Sequence, residues 1–248
     1  MHSIDMSDIL TVMGFRPGLR QIDVTFTNAD IDTATVPETV SPVGGLLTFR
    51  TAAAVVEAVS SSASDTAAGV GAQVLQVHGL DSNYNEIQED IPLNGTTPVL
   101  GALMFFRINA AHIHNAGSSG TNVGDITIRD AGAGVTRSFI STGQGVSEVG
   151  LFTVPAGHTL LATGWIVSAR DSVGQKALVD VAFYTSTLGV RKIDWRMVVD
   201  GTAAANVGSP HIFFEKVDIE VVVTRVNTND SYVSFHGHGI LVGPGHGL

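Results

Sequence analysis

Residues 21–29 read QIDVTFTNA, with Ile22, Val24 and Phe26 alternating against polar neighbours. Side chains along a strand point alternately to opposite faces. This two-residue period therefore puts three apolar groups on one face and leaves the other to water. A helix would need its apolar residues three and four apart. The segment is a half-buried β-strand. The same period, with β-branched enrichment, returns in VLQVHG (74–79), DITIRD (125–130), SEVGLFTV (147–154), LVDVAFYT (178–185), KIDWRMVV (192–199) and VDIEVVVTRV (217–226). Gly, Asn, Pro or Asp bounds each one. About a dozen strands at this spacing predict an all-β protein, an antiparallel, jelly-roll-like β-sandwich. Glycines in DAGAGV (130–135) and STGQGV (141–146) are positioned for tight turns that need positive φ.

Helix signals are few. Ser7 and Asp8 can cap a short helix through Met13, ended at Gly14. The segment 51–69, TAAAVVEAVSSSASDTAAG, is alanine-rich, but Val55, Val56 and Val59 favour a strand entering a serine-rich loop. Pro17, Pro37 and Pro42 punctuate the first residues. We read 1–42 as an N-terminal arm or short strands, and 43–248 as the main β-sandwich domain. No internal repeat stands out.

The chain has 248 residues, 15% charged residues and only three lysines, Lys176, Lys192 and Lys216. Charge depletion is the compositional mark of interface cores, so burial between subunits is expected. The net charge of −10 argues against non-specific nucleic-acid binding, which needs Lys and Arg to displace counterions. There is no cysteine, hence no disulfide or thiol chemistry. The first residues show no basic-then-apolar secretory pattern, and no apolar run is long enough to span a membrane.

Two histidine pairs invite a metal. His112 and His114 stand in RINAAHIHNAG, and His236 and His238 in SFHGHG; His246 follows in the tail. On a strand, i and i+2 share a face, and imidazole suits zinc, iron, copper or nickel. A cupin-like enzyme would add a Glu a few residues on, and neither pair has one. The alternative is that these histidines make turn hydrogen bonds, line a subunit contact, or share one ion on a three-fold axis. Paired carboxylates occur at Glu86, Glu89 and Asp90, which is the raw material of a glycosidase, but they stand among Asn, Gln and Gly as a solvated loop would. Asp81, Asn83 and Asn85 open like a calcium loop yet lack its glycine and final Glu. No nucleophile elbow, P-loop or dinucleotide fingerprint is present. Tyr84, Trp165 and Trp195 are scattered, so both tryptophans are read as core. No catalytic, cofactor-binding or metal-ligating residue is assigned, and no cofactor is expected.

GLDSNYNE (79–86), LNGTTPV (93–99), FFRIN (105–109), GSSGTNVGDITI (117–128) and FTVPAGHT (152–159) follow one another in an order that resembles virion structural proteins of tailed bacteriophages, marine and cyanobacterial phages among them. The resemblance spans about residues 69–242, and its motifs are turns and strands. It implies a non-enzymatic virion component, a trimeric capsid decoration or cement protein that binds and stabilises the head shell. A tail-fibre, baseplate or receptor-binding protein is the alternative. The implied partners are the chain itself, as a homotrimer, and the major capsid protein or other virion proteins. The implied location is the virion, assembled in the host cytoplasm. In that setting the arm would reach a neighbour, with Phe15, Arg16 and Arg20 as anchors.

Overall fold

The computed structural model describes residues 18–175, 177–187 and 190–244. Among them there is no helix, and none that is long and apolar enough to cross a membrane. Among the described residues sixteen strands are formed. They are β1 (Leu19–Ile31), β2 (Glu38–Thr39), β3 (Ala54–Ser60), β4 (Ala72–Leu80), β5 (Glu86–Pro92), β6 (Val99–Phe105), β7 (Arg107–Ala116) and β8 (Ile126–Asp130). Then come β9 (Thr136–Ile140), β10 (Leu151–Thr153), β11 (Thr159–Arg170), β12 (Leu178–Thr187), β13 (Val190–Asp200), β14 (Thr202–Phe213), β15 (Asp218–Val226) and β16 (Ser231–Val242). The all-β, antiparallel expectation holds. Segment 51–69 is strand and then loop, as its valines indicated. Gly132, Gly143 and Gly145 take positive φ at the predicted turns.

Pairing sorts the strands into two sandwiches. The first is a rolled double ribbon. β1 pairs with β16, β10 with β15, β11 with β14 and β12 with β13, all antiparallel, so the β12–β13 hairpin is the ribbon's tip. Rolling brings β16 onto β11 and β15 onto β12. The result is two facing sheets, β1-β16-β11-β14 and β10-β15-β12-β13, with β2 added beside β15. The second sandwich is inserted between β2 and β10. Its sheets are β6-β3-β8-β9 and β5-β4-β7.

Of the stretch read as arm or short strands, Leu19–Ile31 forms β1 and Glu38–Thr39 forms β2. β1 is long and pairs from Leu19 opposite Val242 to Ile31 opposite Ser231. Phe26, Ile31 and Val40 are buried. These strands group with residues beyond 150, across the insertion, and not with the strands that follow them directly. Arg20, expected as an arm anchor, lies on β1 and ion-pairs with Glu86 of the inserted sandwich, so it is committed within the chain. Phe15, Arg16 and the expected helix of residues 7–13 lie outside the described residues.

The inserted sandwich has one continuous core, with Val56, Leu75, Val77, Ile91, Phe105 and Ile128 among its members. The two sandwiches meet across charged groups. Arg107 of β7 reaches Asp218 of β15 with Nε at 2.8 Å and Nη2 at 3.1 Å, and both side chains are buried. Thr153 donates its hydroxyl to the same carboxylate at 2.6 Å. Within the roll, beside this junction, Arg191 pairs with buried Glu220 at 2.8 Å. The Phe49 ring lies between the two guanidinium groups, 5.1 Å from Arg107 and 4.9 Å from Arg191. Asn109 and the Thr153 backbone exchange two hydrogen bonds at 2.8 and 2.9 Å. Buried charges need partners of this quality, because removing one member of such a pair is strongly destabilising.

Candidate functional site

The histidine pairs fall in different sandwiches. His112 and His114 are on β7; His236 and His238 are on β16. The convergence a cupin-like site requires is not formed among the described residues, whose one candidate ligand cluster is Asp30, Asp32 and Asp230. His112 instead stacks on His78 at 5.2 Å, a partner the sequence pattern did not reveal. Burial, and then the charge of His112, hold the His78 imidazole below its ordinary pKa. His236 Nδ1 lies 3.1 Å from the Thr25 hydroxyl. His246 lies outside the described residues.

The carboxylates of residues 86–90 are engaged. Glu86 pairs with Arg20, Glu89 accepts the Leu103 backbone N–H at 3.0 Å, and Asp90 accepts from Gln76 at 2.7 Å. Asp81 accepts backbone N–H groups of Asn83 and Asn85 at 2.7 and 2.9 Å. Burial pushes its pKa up, but the hydrogen bonds from Asn85 and Asn83 outweigh that and hold it low. It closes its own turn. Fully buried Asp65 went unnoticed in the sequence. It accepts from the Ser60 hydroxyl and from the backbone N–H of Ala72, Val123 and Gly124, at 2.6–2.9 Å. It knots three loops of the inserted sandwich together.

The roll holds a different kind of feature. Along β16, burial alternates so that Phe235, Gly237, Gly239 and Leu241 take inward positions while His236 is exposed. Two successive inward positions thus carry no side chain. Register places Gly239 between Ile22 of β1 and Ala162 of β11, and Gly237 between Val24 and Trp165. Gly239 and Ala162 thus stand side by side, the Phe235 ring lies close over Gly237, and a cavity of about 370 Å³ opens between the sheets. It divides the buried side chains of the roll into two clusters, one around Phe26, Phe183 and Phe235, the other around Phe152, Leu160 and Phe213. Trp165 packs at the wall, its ring 6.4 Å from that of Phe183. The side chain of Trp195 is not among those described.

Of the residues with polar groups that line the cavity, Asp194 and His211 stand on the edge strands β13 and β14, and His238 stands on β16. His211 Nε2 of β14 lies 2.7 Å from Asp194 Oδ2 of β13, bridging the two sheets. A second cavity of about 420 Å³ adjoins there, sharing Asp194, His211 and Phe213 and adding Thr185 and Lys192. The arrangement is an apolar slot with a vestibule of mixed polar and apolar lining. The glycines that make the slot were legible in FHGHGIL, residues 235–241; the histidines drew the eye instead.

No protein-family model and no curated protein matches the sequence. Among solved structures, the Gx strain of infectious bursal disease virus is similar over 92% of this chain and 72% of that chain, with 12% identity and a TM-score of 0.21. The T13 particle of the same virus is similar over 91% of this chain and 69% of that chain, with 10% identity and a TM-score of 0.20. Likeness at this level carries no assignment.

Proposed function

We propose that the chain is a non-enzymatic structural protein of a virus particle, a self-associating capsid decoration or cement protein of the jelly-roll type. The observation that carries this is the surface of β6. Its sequence, VLGALMF, holds no charged residue, and Leu100, Leu103 and Met104 are exposed. Glu89 already satisfies the backbone N–H of Leu103, so β6 offers an apolar face more than a free edge. Soluble monomers rarely leave such a cluster bare, and partners cover it. The roll adds support: eight long-range strands nested as a rolled ribbon are the jelly-roll arrangement, in which two Greek keys share one core. A chain with 15% charged residues fits burial against neighbours. That the particle is a tailed phage, and that the oligomer is a trimer on its head shell, rest on the motif resemblance in residues 69–242.

Native mass spectrometry of the purified chain tests the reading. A trimer is expected, and Leu100→Lys with Met104→Lys should yield a monomer of unchanged unfolding temperature. A wild-type monomer at micromolar concentration would refute it. Immunogold labelling of particles then separates head from tail.

A further inference from the structure

We propose that the slot of the roll binds a single-chain amphiphile with an anionic head group, a fatty acid in its chemistry. The tail's place is the inter-sheet cavity of about 370 Å³. Its walls come from Val24, Phe26, Phe183 and Phe213, and its floor is the inward glycine pair of β16. No side-chain donor or acceptor of these residues faces a ligand, so a polar molecule would be stripped of water without compensation. Apolar cavities of this kind stay dry and take apolar guests. One slot between two sheets admits one chain.

The head's place is the vestibule. Lys192 is exposed there beside Thr185 and His211. Asp194, the acid at the same mouth, is already held by His211 at 2.7 Å. Lys192 is thus the cation available to an incoming carboxylate. Its position is set against the rest of the molecule, which carries a net charge of −10 and only three lysines. Most of this surface repels an anion, whereas at this mouth Lys192 offsets the charge of Asp194. Apolar depth with a few polar groups at one end is the usual build of a small-molecule site.

The test uses the full-length oligomer and [1-¹³C]dodecanoate, read by titration calorimetry and by the carbonyl resonance, with dodecanol as the neutral control. Saturable binding at one site per chain is expected. Ala162→Phe should fill the slot and weaken dodecanoate by about tenfold or more, with an unfolding temperature equal to or above wild type. Val24→Phe repeats the blockade from the opposite strand if the first variant fails to fold. Lys192→Gln should weaken dodecanoate roughly fivefold and leave dodecanol unchanged. Absence of saturable binding overturns the proposal, as does full affinity in both filled variants. Equal effects of Lys192→Gln on acid and alcohol overturn the head-group assignment. Binding that emerges only after residues 1–17 are removed, or only in dissociated subunits, would show that protein fills the slot, and would also overturn it.

Discussion

The two sandwiches follow the same alternation, yet one is filled and the other is not. In the inserted sandwich Val56, Leu75, Ile126 and Ile128 form one contiguous cluster, and the buried glycine of β4, Gly79, is closely covered by Phe105 and the Arg107 backbone. In the roll, Gly237, Gly239 and Ala162 take inward positions on neighbouring strands and the core splits in two. Alternation decides which face is buried. The size of the residues at the inward positions decides whether anything is left to fill. A binary pattern of apolar and polar residues cannot distinguish these cases, because glycine at an inward site reads as neither.

The contrast can be broken most directly at the charged junction that joins the halves. Arg107→Ala removes a bidentate guanidinium from a fully buried carboxylate. A loss of roughly 3–5 kcal/mol is expected. Chemical denaturation followed by far-ultraviolet circular dichroism should show one transition becoming two as the sandwiches uncouple. Next in size is Asp65→Ala, which strands the buried backbone N–H groups of Ala72 and Gly124 and the part-buried one of Val123. It should cost about 3 kcal/mol. Hydrogen exchange should show protection falling in residues 54–140 and holding in the roll.

Core truncations sharpen the comparison further. Leu75→Ala opens a hole in a full core and should cost about 3 kcal/mol. Leu160→Ala borders space that is already open, so its neighbours lose fewer contacts and about 2 kcal/mol is expected. Equal losses by urea denaturation would mean that the slot is filled as tightly as the other core.

Acid should act on the inserted sandwich first. Burial raises the Asp130 pKa, but hydrogen bonds and charge from Arg137 and Arg50 prevail and hold it below the ordinary carboxylate value. Backbone N–H groups of Gly132 and Ala133 hold Glu57 low as well. Both folded values lie below the unfolded ones. Their contribution is therefore complete above about pH 4–4.5 and is lost as pH falls through the folded values. The urea midpoint of residues 54–140, followed by exchange, should drop as pH falls below about 4. The smallest effect belongs to His78, a base whose folded pKa is depressed. The unfolded chain takes up its proton first, so stability declines as pH falls through about 6.5. His78→Gln should flatten that decline.

Much of the fold was legible. Ile22, Val24 and Phe26 do face inward on a long strand, and the glycine turns at 132, 143 and 145 are where the sequence put them. The partition of the chain was not. Pro37 and Pro42 suggested a boundary, but β1 finds its partner more than 200 residues away, and local composition does not record long-range pairing. The buried acids Asp65, Asp218 and Glu220 were likewise invisible, because each is defined by donors from distant segments. Among the described residues, the histidines that looked like ligands proved to be spread over separate sheets. The glycines between them shaped the slot.

The pairing of Leu19 with Val242 also sets a timetable. As the chain leaves the ribosome, the first strand of the roll emerges early and its partner last. By then the inserted sandwich, whose strands end at Ile140, has all its own pairing partners and can complete its core. For the whole of that interval β1 offers Ile22, Val24 and Phe26 to solvent with no strand beside it. Closure of a loop this long is slow but not prohibitive in entropy. The vulnerable moment in the life of this protein is thus the wait for β16, when a tract ready to pair with any exposed strand is held open by the order of synthesis.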